Sequence, residues 1–296
     1  MDYYNEIRQK IIDNEIYSKV KDYSKEKHKV ITYFEIGKLL YEAGSVYGEN
    51  IIEKYSEKLM IEVGKKYNRS TLFRMKQFYT MFSDEKVAPM AQQLSWSHYT
   101  ELLPLKDINK ILYYINQCIN LNLSRNELRT RIKTKEFERL PEETKNKLIA
   151  KEETKTIDFV KNPILIKNNM NYNDISEKIL KRLILEDLDN FLKELGDCFS
   201  YIGNEYKIKI GDRYNYIDLL LFNYRYNCFV VIELKITELK KEYIGQIEVY
   251  MNYIDKNIKT ISQDKTIGII ICKKDNHFVM EYCSDDRILT REYNLV

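Results

Sequence analysis

Two short apolar segments in the second half of the chain constrain its fold most. They occupy residues 217–222 and 230–235, and a polar stretch with turn residues separates them. Each has the length and the aliphatic content of a buried β-strand. Both nevertheless carry charge, at Asp218 in the first segment and at Glu233 and Lys235 in the second. Because burying an unpaired charge costs on the order of several kcal/mol, we expect these three side chains to meet at a functional site.

The spacing of the three charges predicts a metal and phosphate site. Side chains alternate between the faces of a strand, so Glu233 and Lys235 share a face. If Asp218 lies on the paired strand, its carboxylate converges with that of Glu233. Two carboxylates, the backbone carbonyl of Leu234 and waters form a hard oxygen site suited to Mg²⁺, for which Mn²⁺ is expected to substitute. Lys235 is placed to hold a phosphate or the attacking water and to offset transition-state charge.

Length and composition predict a two-domain protein of the reducing cytoplasm. The chain has 296 residues, of which 44% are hydrophobic and 31% charged, as in ordinary globular proteins. No apolar run is long enough to span a membrane, and the first residues lack the pattern of a signal peptide. The five cysteines are scattered and form no CxxC motif, which favours buried thiols over disulfides or zinc.

The first half, residues 1–150, is predicted to be an all-helical domain. Apolar residues recur there at helical spacing, and two helices flank a turn near Gly64 in a helix-turn-helix-like pattern. The second of these helices carries Arg69, Arg74 and Lys76, which suit contacts with nucleic acid. Any exposed helix face carries such residues, however, and a protein-docking role for this domain stays open. Trp96 is expected to anchor either the core or a domain interface.

The second half, residues 151–296, is predicted to be an α/β domain with a mixed sheet. It follows a highly charged junction at residues 133–162. A long amphipathic helix at residues 179–195 comes before three strands, a helix and two more strands. These predicted elements lie at residues 206–210, 217–222, 228–234, 242–253, 266–272 and 278–282.

The motif around the charged strands resembles that of a known superfamily. Asp218, a gap of 14 residues and then Glu233-Leu234-Lys235 resemble the signature of PD-(D/E)xK nucleases. Five further segments resemble the YhcG-like family of bacterial nucleases, including its helical N-terminal domain. These segments are GDRYNYIDLL at 211–220, VIELK at 231–235, YIGQ at 243–246, LSWSHY at 94–99 and SRNEL at 124–128.

The resemblance implies a restriction-endonuclease-like core and metal-dependent phosphodiester hydrolysis that leaves a 5′-phosphate. It implies that Asp218 and Glu233 are metal ligands and that Lys235 is the catalytic lysine. It also implies an acidic residue on the preceding helix, for which Glu186 is the favoured candidate as catalytic residue and metal ligand, although Asp187 and Asp189 compete with it.

Four questions stay open at the level of sequence. Gln246 matches a glutamine found after the ExK motif in many superfamily members, where it holds a water or the backbone near the metal. Asp218 alone could instead form a surface ion pair with Arg213 or Arg225, worth ~1 kcal/mol or less. The partner is expected to be nucleic acid, DNA before RNA, and cutting both strands of a duplex would suit a homodimer. The alternative function is a non-catalytic nucleic-acid-binding or complex-forming protein on a nuclease fold.

Overall fold

The structure, a computed structural model, divides the chain into two compact units, Met1–Phe137 and Glu138–Val296. It describes residues 2–18, 25–48, 50–83, 93–150, 152, 154–281, 283 and 285–296. The boundary predicted at residue 150 falls at the end of the first helix of the second unit. Within the described residues, no helix has both the length and the apolar character that crossing a membrane requires.

The described part of the first unit contains helices and no strand, which confirms the predicted all-helical domain. They are α1 (Tyr3–Ser18), α2 (Lys25–Tyr47), α3 (Ile51–Glu62), α4 (Arg69–Phe82), α5 (Trp96–Leu102), α6 (Ile108–Leu121) and α7 (Arg125–Lys133).

Helices α3 and α4 form the predicted helix-turn-helix-like pair. Gly64 lies in the turn with a φ of +154°, in a region where side chains cause strain. Asn68 caps α4, because its side chain accepts a hydrogen bond from the Thr71 N–H at 3.1 Å. The buried face of α4 carries Leu72 and Met75, which leaves its polar face to solvent.

Trp96 is a core anchor, as predicted. Its ring meets the rings of Tyr33 and Phe78 edge-on, at centroid distances of 4.9 and 5.4 Å. The neighbouring His98 links two loops, with Nδ1 2.7 Å from the Ser95 hydroxyl and Nε2 2.9 Å from the Leu123 carbonyl oxygen. Both residues therefore stabilise the helical unit.

The second unit contains the sheet. Its elements are α8 (Glu142–Ala150), a 3₁₀ turn (Thr156–Phe159), β1 (Ile164–Ile166), α9 (Glu177–Glu186), α10 (Leu188–Leu195), β2 (Phe199–Ile210), β3 (Arg213–Asn223), β4 (Cys228–Leu234), α11 (Lys241–Asn257), β5 (Asp264–Cys272), α12 (His277–Glu281) and β6 (Ile288–Leu295).

The sheet is mixed, as predicted, with the strand order β1-β6-β5-β4-β3-β2. Strands β2, β3 and β4 form an antiparallel meander. Strand β4 pairs in parallel with β5 through the crossover helix α11, and β5, β6 and β1 continue the parallel half. The charged strands β3 and β4 therefore lie where the antiparallel half meets the parallel half.

Helices cover both faces of this sheet. On one face, α9 and α10 pack against a core that includes Ile232 and Leu234 of β4. On the other face, α11 packs against a core that includes Val231. Since side chains alternate, Glu233 lies on the same face as Val231, towards α11.

Two predicted elements of this unit are wrong. Residues 278–282 were predicted to be a strand, but α12 is a helical turn that begins where the Asn276 carbonyl accepts from the Val279 N–H at 3.0 Å; Tyr282 lies outside the described residues. The predicted single helix at 179–195 breaks at Asp187, whose φ of −131° and ψ of 48° are not helical. The structure also adds the strands β1 and β6 at the edge of the sheet.

Candidate active site

The register of β3 and β4 brings the two predicted carboxylates together. Leu219 pairs with Ile232, so Asp218 and Glu233 are the next residues outward on neighbouring antiparallel strands. The Leu234 N–H donates to Asp218 Oδ2 at 3.0 Å. This bond holds the Asp218 carboxylate against Leu234, the residue whose carbonyl was predicted to bind metal.

Glu233 is the most deeply buried charged group of the cluster, at 1% exposure. Its Oε1 atom is buried and has no hydrogen-bond partner among the described residues. Burial, and then repulsion from Asp218, raises the pKa of the Glu233 carboxyl from 4.5 to about 7, although Lys235 opposes the shift. An isolated buried carboxylate oxygen of this kind needs a cation or a proton.

Lys235 supplies part of that positive charge. Its Nζ lies 3.3 Å from Glu233 Oε2 and 5.1 Å from the centroid of the Tyr243 ring on α11. Its own N–H donates to the Ile271 carbonyl at 2.8 Å, which fixes the backbone at the end of β4. Burial lowers the pKa of Lys235, but the negative charges of Glu233 and Glu177 raise it above its usual value, so the ammonium stays charged.

Helix α9 contributes two residues that were absent from the predicted site. Lys181 places its Nζ 2.8 Å from Asp218 Oδ1 and 3.3 Å from a Glu205 carboxylate oxygen. Glu177, in the first turn of the helix, is close enough to raise the pKa of Lys235. The sequence signal was the Ser176 cap, which starts α9 and places Glu177 at its N-terminus.

The structure does not bring Glu186 into this cluster. It is the last residue of α9, nine positions after Glu177 and thus about 13 Å further along the helix axis. Its side chain instead accepts from Arg182 Nε at 2.8 Å. Glu177 is therefore the acidic residue of α9 whose charge acts on Lys235.

Gln246 lies on the helix that covers the site but makes a different contact. Its Nε2 donates to the Tyr250 hydroxyl at 3.1 Å, one turn further along α11. Residues three or four apart share a helix face, so Gln246 lies on the face that carries Tyr243. It thus faces the same side as the ring beneath Lys235, without a direct bond to Asp218 or Glu233 among the contacts of the described residues.

The donor set of the cluster fits a divalent cation. The described residues contain no group of three His, Cys, Asp or Glu side chains arranged to hold a metal. Mg²⁺, however, keeps several waters and is commonly held by only one or two carboxylates. Asp218, Glu233 and the Leu234 carbonyl supply the oxygen atoms, and the unpartnered Glu233 Oε1 is an atom that a cation would satisfy.

The basic residues of α4 lie on its outer surface. Arg69 and Arg74 are exposed, and Lys76 is half-buried with its Nζ 5.9 Å from the centroid of the Tyr41 ring. All three residues place positive charge on the second helix of the helix-turn-helix-like pair, and Arg69 and Arg74 expose it to solvent.

Comparisons with known protein families match both units. Residues 157–295 match the model described as the YhcG PDDEXK nuclease domain, and residues 6–139 match the DUF1016 N-terminal domain. The chain is similar to the Escherichia coli (strain K12) protein "Putative nuclease YhcG", with 23% identity over an alignment of 309 residues. This alignment covers 89% of this chain and 82% of the relative.

Two solved structures share lesser similarity with the chain. One is a repair endonuclease from Pyrococcus abyssi, with 18% identity, a TM-score of 0.29 and coverage of 41% of this chain and 48% of the other. The second is described as the structure of an EndoMS-dsDNA2 complex, with 17% identity, a TM-score of 0.31 and coverage of 41% and 47%.

Proposed function

We propose that this chain, which belongs to the YhcG family and carries its PD-(D/E)xK nuclease domain, is a Mg²⁺-dependent nuclease that cuts DNA in preference to RNA. The observation that carries the proposal is the cluster of Asp218, Glu233 and Lys235, in which the buried Glu233 Oε1 has no partner among the described residues. A purely structural cluster would pair that oxygen, because an unsatisfied buried charge destabilises the fold.

Asp218, Glu233 and the Leu234 carbonyl would hold the ion. When bound, Mg²⁺ polarises the phosphate and lowers the pKa of a coordinated water. Lys235, fixed by Glu233 and by the backbone of β4, neutralises charge on the phosphate and orients the attacking water. Release of the 3′ oxygen would leave a 5′-phosphate on the product.

Helix α9 supports this chemistry from the side of Asp218. Lys181 binds Oδ1 of Asp218 while the Leu234 N–H binds Oδ2, so the carboxylate is held in one orientation. Glu177 keeps Lys235 charged. Both are proposed as positioning residues, and Gln246 is kept as a candidate for holding a water near the ion. Glu177 takes the place of Glu186 as the proposed acidic residue of the preceding helix, because Glu186 pairs with Arg182.

The first unit is proposed to bind the substrate. Arg69, Arg74 and Lys76 place positive charge on α4, the second helix of the helix-turn-helix-like pair. None of the five cysteines, all of them among the described residues, forms a disulfide, which suits the cytoplasm as the site of action. A homodimer would let the enzyme cut both strands of a duplex, and sedimentation of the purified chain would test this.

Cleavage of labelled nucleic acids tests the proposal. Single-stranded and duplex DNA and RNA are incubated with Mg²⁺, Mn²⁺ or EDTA, and product ends are identified by their sensitivity to phosphatase. We expect cutting with either metal, none in EDTA, and loss of at least about 10³-fold in rate for Asp218→Asn, Glu233→Gln and Lys235→Met. Glu186→Gln is the matched control and should cut at the wild-type rate.

The non-catalytic alternative predicts a different result. A binding protein would shift these nucleic acids on a gel without degrading them in either metal. Wild-type cutting by a pure Asp218→Asn preparation would show that the activity comes from a contaminant or from another site, and would remove the proposed assignment.

A further inference from the structure

The hairpin of β2 and β3 is much longer than its neighbour β4 requires. The two strands have 12 and 11 residues, whereas β4 pairs only with the five residues Leu219–Asn223 of β3. Residues 206–217 therefore extend beyond β4 as a two-stranded ribbon, which we call the arm. Its tip is the two-residue turn at Gly211, whose φ of +59° is the left-handed backbone that such a turn needs.

One face of the arm is packed and the opposite face is not. Ile208 and Ile217 are buried against the core beneath α11. The opposite face carries Tyr214 and Tyr216, which are 56% and 53% exposed. The fold needs no aromatic ring there, because the hydrophobic attachment of the arm is already supplied by its other face.

Basic side chains flank the two tyrosines. The register pairs Lys207 with Tyr216 and Lys209 with Tyr214, so these four residues lie on one face of the ribbon. Lys207 places its Nζ 3.8 Å from the centroid of the Tyr214 ring, and Arg213 adds a further exposed charge beside the tip. The arm carries three basic residues and one acidic residue, so its charge complements a polyanion.

The arm adjoins the candidate active site along β3, at Asp218. Tyr216 precedes Asp218 by two residues, a separation of about 7 Å along β3. At that point Lys181 joins both strands of the hairpin, since it binds Asp218 on β3 and Glu205 on β2. A strand of nucleic acid that lies on the arm would therefore reach the Asp218 side of the cluster with its next phosphates.

Exposed rings alternating with lysines are a surface for unpaired bases. Every base has an aromatic face that stacks on a side-chain ring, whereas bases inside a duplex are already stacked on each other. We propose that the exposed face of the arm binds a single-stranded segment of the substrate, with bases on Tyr214 and Tyr216 and phosphates on Lys207 and Lys209. This inference rests on the proposed nuclease function and specifies its substrate as nucleic acid with unpaired nucleotides beside the cut.

Binding in EDTA, where metal-dependent cutting is blocked, tests the inference on the full chain. Anisotropy is measured with a labelled single-stranded DNA, the RNA of the same sequence and the blunt DNA duplex. The double variant Tyr214→Ala/Tyr216→Ala should bind the single strands at least about tenfold more weakly, and the duplex within about twofold of wild type. Tyr214→Phe/Tyr216→Phe, which keeps both rings, should bind like wild type and shows that a loss comes from stacking.

Tyr224 offers a matched control, because it is 63% exposed but lies in the turn at the far end of β3. Tyr224→Ala should bind as wild type. Replacing both Lys207 and Lys209 by Gln should lower the slope of log affinity against log salt by about 1.4, as expected for two contacts with a single strand. A 2-aminopurine base in the single strand should lose fluorescence on binding to wild type and not to the double Ala variant.

Unchanged single-strand affinity in the double Ala variant would overturn the inference, and so would an equal loss on the duplex. Comparing the DNA strand with the RNA strand identifies which sugar is accepted. A tyrosine-dependent loss of affinity for either strand supports the proposal. If the wild type cuts with Mg²⁺ but the tyrosines are without effect, the inference fails alone. If tyrosine-dependent binding is found but no metal supports cutting, the nuclease proposal fails alone and the role of the arm stands.

Discussion

Replacing Glu233 by Gln should change how the stability of the second unit depends on pH. Burial raises the pKa of Glu233 from 4.5 to about 7, so the folded protein holds this proton more tightly than the unfolded chain does. The stability that the group contributes is therefore fully present below about pH 4.5 and is lost as the pH rises through about 7. A change of 1 in pKa corresponds to about 1.36 kcal/mol, so a rise of about 2.5 in the pKa of Glu233 amounts to ~3 kcal/mol of stability.

The variant should be free of this loss, because an amide does not ionise. We expect wild type to lose ~3 kcal/mol more than Glu233→Gln between about pH 4.5 and pH 8 in EDTA. This figure already includes the attraction between Lys235 and the Glu233 carboxylate, because that attraction is one of the contributions to the pKa of about 7. Added Mg²⁺ should restore much of the wild-type stability at about pH 8, since a bound cation favours the ionised carboxyl.

Urea unfolding followed by pulse proteolysis and peptide mapping measures this effect. The mapping scores peptides of the second unit separately from those of the first, and comparing pH dependences cancels any fixed effect of the substitution. Asp212→Asn, the same change at an exposed position of the hairpin turn, is the control and should follow wild type. Equal pH dependence of wild type and Glu233→Gln would refute the claim that burial raises the pKa of Glu233 by more than the charge of Lys235 lowers it.

Three further outcomes follow from the structure. Gly37→Ala should destabilise the first unit by about 2 kcal/mol or more, measured by Trp96 fluorescence in urea, because the new Cβ would lie 2.1 Å from the Met75 carbonyl oxygen. Glu177→Gln should slow metal-dependent cutting roughly tenfold without changing the unfolding midpoint. Glu186→Gln should leave the rate of cutting unchanged. Reversing three charges of α4 should weaken binding and its salt dependence in gel shifts, and unchanged values would remove the role of that helix. These charges are Arg69, Arg74 and Lys76.

The central strands and their charges could be predicted because charged residues are rare in apolar segments. Charge in an apolar run is costly, so Asp218, Glu233 and Lys235 stand out in the sequence itself. Capping residues are another local signal, and the structure contains both the Ser124 capping box and the Asn68 cap. Such signals are local in sequence, and the bonds they predict span only three residues.

The remaining parts depend on contacts that are distant in sequence. Lys181 and Glu177 join the site only because α9 begins at Ser176 and is oriented by its packing on the sheet. The family resemblance made Glu186 the favoured candidate. The break at Asp187 and the start of the helix decide which acidic residue faces the strands, and apolar spacing alone does not reveal either.

Strand β3 connects the stability of this unit with its proposed activity. Its inner half, Leu219–Asn223, is held between β2 and β4 and fixes the register that sets Asp218 beside Glu233. Its outer half forms the arm, where the exposed tyrosines add nothing to the core. Because the cluster sits where these halves meet, a shift of β3 by one residue would both bury Tyr216 and turn Asp218 away from Glu233. The same register that stabilises the sheet therefore sets Asp218 beside the proposed substrate surface.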